Sequence, residues 1–427
     1  MAAATVLGIG IAVASLNAVV DPFGTLRLVE LPGFNAFKPA MQNRVRLAKA
    51  YDVRRIEPRA IVLGTSRSHV ALRPSHEGWD RATSPYNLAF DGATTEEMYR
   101  YLLHAYAVAP VRQVVLGLDT WQLGHNPSAV RPDFDPSLLY EPGATAKTVA
   151  VHLADLRLLL NLTTLEASLR TLWTQEDAEP DWLAHDGQRR GEIYFHHAEE
   201  FVTRGAGSYF AEVDRREIDS KLDGAEPTHG HRSKEPVPVS TLTSFDYIRA
   251  MVAFCRAENI DLRIFITPAH AHQMEISAAM GEWPKIEQGK RELVALLAED
   301  AARHPDRQPF PLWDFSGYSS VTTEAVSPPG SAVEMRYYWD SSHFKEIVGD
   351  FVLDRLFGID RRDQPVPKDF GRLLTADTID QALADARVGH DRYQREHEAD
   401  IAAILATVAA ARGAAGMPVP TQTAGLP

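Results

Sequence analysis

Apolar residues along the chain follow two alternating patterns. The first is the short unbroken run. Ala60-Ile61-Val62-Leu63 ends in Gly64, and Tyr86-Asn87-Leu88-Ala89-Phe90 follows. Gln113-Val114-Val115-Leu116-Gly117-Leu118 is a third run, and Leu262-Arg263-Ile264-Phe265-Ile266-Thr267 is a fourth, stopped by Pro268. Positions 310–315 make a weaker fifth, with Phe310, Leu312, Trp313 and Phe315. Runs this short, apolar on both sides, suit strands in the middle of a parallel sheet. The second pattern has helical spacing. Thr94 and Glu97 stand at capping-box distance ahead of Met98, Leu102, Ala105 and Tyr106. Ile248, Met251, Val252 and Cys255 precede the fourth run, and Leu293, Leu296 and Leu297 precede the fifth. Phe344, Ile347, Val348, Phe351, Val352 and Leu356 form a last stripe that ends at Gly358. Strand and helix in alternation predict an α/β fold: a doubly wound, mostly parallel five-stranded sheet with helices on both faces.

Several stretches break the alternation. Ala2–Val20 carries no charged residue. As a helix it would be about 28 Å long, close to the hydrocarbon thickness of a bilayer. It runs into Val19-Val20-Asp21-Pro22-Phe23-Gly24, which resembles a helix stop more than a cleavage site. Residues 1–24 are therefore expected to be a membrane anchor, with a buried core helix as the competing reading. Arg27, Lys38 and Arg44 follow it, and the positive-inside tendency alone would keep the rest of the chain cytoplasmic. The strand-and-helix core divides into 25–120 and 244–360. Between them lies an insertion, 121–243, above the carboxyl ends of the strands, where it could shape a substrate site or dock a partner. Its leucine-rich part, 153–172, reads as helix, and its polar part, 223–238, as loop. Residues 361–412 read as a helical extension and 413–427 as a disordered tail.

Composition narrows the function classes. The apolar fraction of 45% and charged fraction of 24% are those of a folded globular chain. The formal net charge of -13 argues against nucleic acid as a partner. A single cysteine, Cys255, excludes an internal disulfide and a multi-cysteine zinc site.

Ligands of an open parallel sheet bind beyond the carboxyl ends of its strands. The first run ends in Gly64-Thr65-Ser66-Arg67-Ser68-His69, the second in Asp91-Gly92-Ala93-Thr94, and the third in Gly117-Leu118-Asp119-Thr120. Just before the last helix stands Trp339-Asp340-Ser341-Ser342-His343. One serine, two glycine loops and an Asp-x-x-His thus meet on one edge of the expected sheet.

This ordered set resembles the SGNH (GDSL-like) hydrolase superfamily. Its blocks correspond here to Gly64-Thr65-Ser66, Gly92, Gly117-Leu118-Asp119-Thr120 and Asp340-Ser341-Ser342-His343. The resemblance covers about 60–358, interrupted by the insertion, and implies a flavodoxin-like SGNH fold. The apolar start followed by Val-Asp-Pro-Phe-Gly is similar to membrane-anchored SGNH-like proteins of bacterial cell-envelope polysaccharide O-acylation, such as the teichoic-acid D-alanyl transfer protein. The resemblance implies an exported domain, an acylated polysaccharide or other ester as substrate, and a membrane-bound O-acyltransferase as partner. The sequence itself gives no evidence for a cofactor, and none is expected.

The implied chemistry needs a base beside Ser66, since a serine hydroxyl is a weak nucleophile. His343 would take the proton, and Asp340 would fix the imidazole tautomer. The backbone N–H groups of Ser66 and Gly92 would bind the oxyanion. Two positions depart from the family pattern. Thr65 replaces the acidic residue before the serine. Asp119 stands where an oxyanion-binding asparagine is expected, and would serve only as a neutral donor. Asn87 and His270 are further candidates for contact with substrate. His270, His272 and Glu275 match no metal-ligand spacing, so no metal is expected.

Each residue also has a structural reading. Ser66 could simply cap a helix, and Asp340 could cap the one starting near Phe344. His343 could be an ordinary surface histidine, and Tyr337, Tyr338 and Trp339 core packing. Two functions follow: a serine esterase or acyltransferase, or a non-catalytic scaffold on the same fold.

Overall fold

The computed structural model describes residues 1–175, 183–196, 199–222, 239–331 and 333–417. Its centre is a six-stranded sheet built from β1 (Ala60–Leu63), β2 (Tyr86–Asn87), β3 (Gln113–Leu118), β6 (Asp261–Ile266), β7 (Leu312–Asp314) and β8 (Arg372–Leu373), in the order β2-β1-β3-β6-β7-β8. All neighbours pair parallel except β7 and β8. The sheet is thus mixed, with the expected five parallel strands and one antiparallel edge strand that the sequence pattern did not announce. A separate two-stranded sheet joins β4 (Pro127–Ala129) to β5 (Val239–Thr243) within the insertion.

Alternation along the strands builds two cores. Ile61 and Leu63 of β1, Val114, Leu116 and Leu118 of β3, and Leu262, Ile264 and Ile266 of β6 face one side. Helices Val45–Ile56, Thr95–Val108, Ser244–Ala257 and Trp283–Arg303 cover them. Ala60, Val62, Val115 and Phe265 face the other side, under helix Glu346–Phe357. Both faces are dry, which is why these strands read as continuous apolar runs. Thr94 and Glu97 form the expected capping box.

The flanking stretches show how local polarity sets element ends. The helix Ala2–Val20 stops at Asp21, which is left-handed at φ 49. Its carboxylate accepts from the backbone N–H groups of Thr25, Leu26 and Arg27 at 2.7, 3.1 and 2.7 Å. Asn35 Nδ2 and Lys38 Nζ donate to the last helix carbonyls, at 3.0 Å to Val19 and 3.3 Å to Val20. The leucine-rich stretch is helical but broken. Thr145–Leu160 and Leu162–Trp173 meet at Asn161, whose backbone is extended and whose side chain caps the second helix. The expected loop at 223–238 and the end of the tail, 418–427, lie outside the described residues. The C-terminal extension forms two helices, Ile379–Glu396 and Glu398–Ala414, so helix continues past the expected boundary at 412.

Four buried histidines predict an acid limit on stability. His69 and His270 are pushed down to about 3, and His76 and His104 to about 4, chiefly because burial disfavours the charged ring. Folded values below the unfolded value of ~6.5 give stability that is present above pH ~6.5 and lost as pH falls. Each group that protonates only on unfolding costs about 1.4 kcal/mol per pH unit in that window. Calorimetry is expected to show the melting temperature falling steadily from pH 6.5 to pH 4.5. A flat profile would contradict it.

Candidate functional site

The turn after β1 delivers Ser66. Gly64 and Gly117 lie so close to Ser68 that a Cβ on either would overlap its hydroxyl, so both must be glycine. Thr65, not Ser66, caps the short helix Ser66–Ala71, with its side chain accepting from Arg67 N at 3.4 Å. The serine side chain is therefore released from the capping role.

The residues 340–343 come to this turn from the far end of the chain. His343 Nε2 lies 2.8 Å from Ser66 Oγ. His343 Nδ1 lies 3.0 and 2.9 Å from the two oxygens of Asp340. A carboxylate at that distance places the proton on Nδ1 and leaves Nε2 to accept from the serine hydroxyl. Asp340 is fully buried. Its Oδ1 also accepts from Ser342 N and His343 N at 2.7 and 2.8 Å. Burial works to raise its pKa, but His343 and these backbone donors outweigh that, and the carboxyl is held below its usual value. The following helix starts only at Glu346, so Asp340 is not its cap.

Asp119 accepts from four directions. Thr65 Oγ1 and Trp121 Nε1 donate to one carboxylate oxygen at 2.8 and 3.1 Å, and Arg67 pairs with the same oxygen. Thr267 Oγ1 donates to the other at 2.7 Å. Both oxygens are thus taken up as acceptors by these donors and the guanidinium, and neither is turned toward an oxyanion donor role. Arg67 also donates from Nε to Ser342 O at 3.0 Å and from its terminal nitrogen to Ser342 Oγ at 2.7 Å. One buried arginine thus clamps the serine turn, the end of β3 and the Asp-x-x-His loop together.

Gly92 is left-handed, at φ +55, and a Cβ there would collide with the Arg131 guanidinium. Among the described residues no protein acceptor meets the backbone N–H of Ser66 or Gly92. Asn87 and His270 point elsewhere. Asn87 Nδ2 donates to Ser68 O and Leu72 O at 2.9 and 2.8 Å, which closes the end of the short helix. His270 is buried behind the Asp-x-x-His loop, donates from Nε2 to Glu324 O at 2.8 Å, and accepts from His272 N. His272 pairs with Asp214, and Glu275 holds His390 and Gln394 of the C-terminal extension. Tyr338 and Trp339 are buried. His196 of the insertion meets Glu334 at 2.7 Å.

Sequence reasoning missed several neighbours. Asp91 accepts from His69 Nδ1 at 3.2 Å and pairs with Arg189 of the insertion. Burial would raise the Asp91 pKa, but Arg189 and His69 hold its carboxyl well below the usual range. Phe195, also from the insertion, stacks on Trp339 at 5.1 Å between ring centroids and lies 5.6 Å from the His343 ring. Nothing in the spacing of the insertion signals either residue. A hydroxyl, an imidazole and a buried carboxylate in relay, under an aromatic cover, can move a proton off serine and return it. Neither a family model nor any curated protein matches the chain.

Proposed function

We propose that this chain is an SGNH-type serine esterase or O-acyltransferase. It acts on acyl groups of a cell-envelope polysaccharide through an acyl-serine intermediate. The observation that carries this reading is the unbroken relay from Ser66 Oγ to His343 Nε2 at 2.8 Å and from His343 Nδ1 to Asp340 at 2.9 Å. The strand order β2-β1-β3-β6-β7 of the parallel part, with the serine after β1, accords with the SGNH resemblance.

In this reading Ser66 Oγ attacks the ester carbonyl carbon and passes its proton to His343. The Ser66 and Gly92 N–H groups hold the oxyanion. Collapse breaks the ester bond, and the leaving alcohol takes the proton from His343. Water or a sugar hydroxyl then gives its proton to His343 and attacks the acyl-serine carbonyl; collapse breaks the bond between the acyl carbon and Ser66 Oγ, His343 returns the proton to Oγ, and an acid or a new ester leaves. The apolar Ala2–Val20 helix would anchor the domain on the outer face of the membrane, beside a membrane-bound O-acyltransferase.

Asp119 favours a second reading, a non-catalytic scaffold for that acyltransferase, because its carboxylate supplies no oxyanion donor. Labelling with a fluorophosphonate separates the two. The wild-type chain is expected to label, and Ser66→Ala to lose the label together with at least about a thousandfold of ester turnover. A folded wild type that does not label would favour the scaffold.

A further inference from the structure

The helices Thr145–Leu160 and Leu162–Trp173 of the insertion are apolar on the side that faces the protein and on the side that does not. Val151 is fully buried, and Ala154 and Leu158 pack on the core. Asp155 is tied to Arg54, with the shortest approach at 2.8 Å. On the outer side Leu153, Leu156, Leu160, Leu162, Leu169 and Trp173 are exposed, Leu162 at 75% and Trp173 at 82%. A helix with apolar residues on opposite faces needs cover on both.

The place of these helices says what covers the second face. They bend by 55° at Asn161 and both pack against the Ala2–Val20 helix. Leu160 Cδ2 lies over Gly10, 3.8 Å from where a Cβ would stand. Asn17, buried near the end of the apolar helix, donates to Leu159 O at 2.8 Å and accepts from Ser168 Oγ at 2.8 Å. The bent pair therefore meets the apolar helix between Gly10 and Asn17. At 1.5 Å per residue that is about 5–15 Å from its last residue, Val20, a range that includes the ~5–10 Å at which interfacial helices lie. Several polar groups at the break are met inside the protein, which lowers the cost of placing it at that depth. Leu159 O has Asn17, Leu158 O accepts from Asn161 N, and Asn161 Oδ1 caps Thr163 N. Arg157 and Arg170 outnumber Glu166 among the exposed charges of the pair and can reach toward phosphate headgroups. Gln175, just past Trp173, bonds Phe37 N and O at 3.2 and 2.7 Å and so fixes the far end to the segment after the apolar helix.

We propose that this bent pair is a second membrane element, lying in the lipid leaflet from which the Ala2–Val20 helix emerges, with its exposed leucines and Trp173 in the acyl-chain boundary. The proposal rests on the reading of Ala2–Val20 as an anchor. It makes the insertion a bracket that holds the catalytic domain at a fixed height and tilt over the bilayer, where a single helix would leave it free to swing.

The test uses the full chain in liposomes of phosphatidylethanolamine and phosphatidylglycerol, with a fraction of lipids spin-labelled on the acyl chain. An environment-sensitive fluorophore is attached to Ile9→Cys, Leu156→Cys, Leu160→Cys or Asp306→Cys. Native Cys255 stays unlabelled, since it is buried and its thiol is pushed up to about 12 by that burial. Fluorescence loss is expected at positions 9, 156 and 160, and none at 306, which is exposed on the soluble domain. Quenching at 9 with none at 156 and 160 would overturn the bracket while leaving the anchor standing, and would assign the leucine face to a protein partner. No quenching at any position would overturn both.

Discussion

Asp340→Asn is expected to lower ester turnover by about 10⁴-fold at neutral pH while the protein stays folded. Both backbone bonds of Asp340, from Ser342 N and His343 N, go to Oδ1, which an asparagine retains as its carbonyl oxygen. The amide nitrogen must then replace Oδ2 and present N–H to His343 Nδ1. That forces the ring proton onto Nε2, where it faces Ser66 Oγ and removes the base. Hydrolysis of an activated aryl ester, read beside circular dichroism of the same sample, checks both halves. A loss below tenfold would mean that Asp340 does not set the tautomer. A scaffold would have no wild-type turnover for the substitution to reduce.

Asp119→Ala is expected to destabilise the protein by about 3–5 kcal/mol, the usual cost of stripping one partner from a buried ion pair. Arg67, with a side chain only 8% exposed, would be left without this counter-ion. Thr65, Thr267 and Trp121 would each lose an acceptor. Arg67→Met combined with Asp119→Leu removes both charges and is expected to recover most of the loss. Denaturant unfolding of the wild type, the single variants and the double variant measures the coupling. If Asp119→Ala costs under about 1 kcal/mol, the clamp is not what holds the site together.

Much of this architecture was legible because it depends on short-range signals. The parallel strands show as apolar runs because both faces are dry, and Thr94–Glu97 shows as a cap because its partners are three residues apart. β8 does not show because Arg372 and Leu373 are exposed, so no buried face imposes a pattern. Ser66, Asp340 and His343 were legible through strand-end position and the Asp-x-x-His spacing. Asn87 and His270 carry the same positional signal. Each lies near a strand end, yet its side chain is spent on closing a neighbouring turn, which only the three-dimensional hydrogen-bond pattern reveals. Arg67 and Arg189 gave no signal because their partners, Ser342 and Asp91, are far away in sequence.

The separation between Ser66 and His343 also orders events during synthesis. A chain made from its amino end carries the serine for 277 residues before its histidine partner exists. The Ala2–Val20 helix and the leucine-rich bend are both complete long before then. Closing so long a loop is entropically costly, and the bond from Arg67 to Ser342 likewise waits for a residue made after β6 and β7. The Ser66 hydroxyl therefore has no histidine partner until almost all of the folded core has been made.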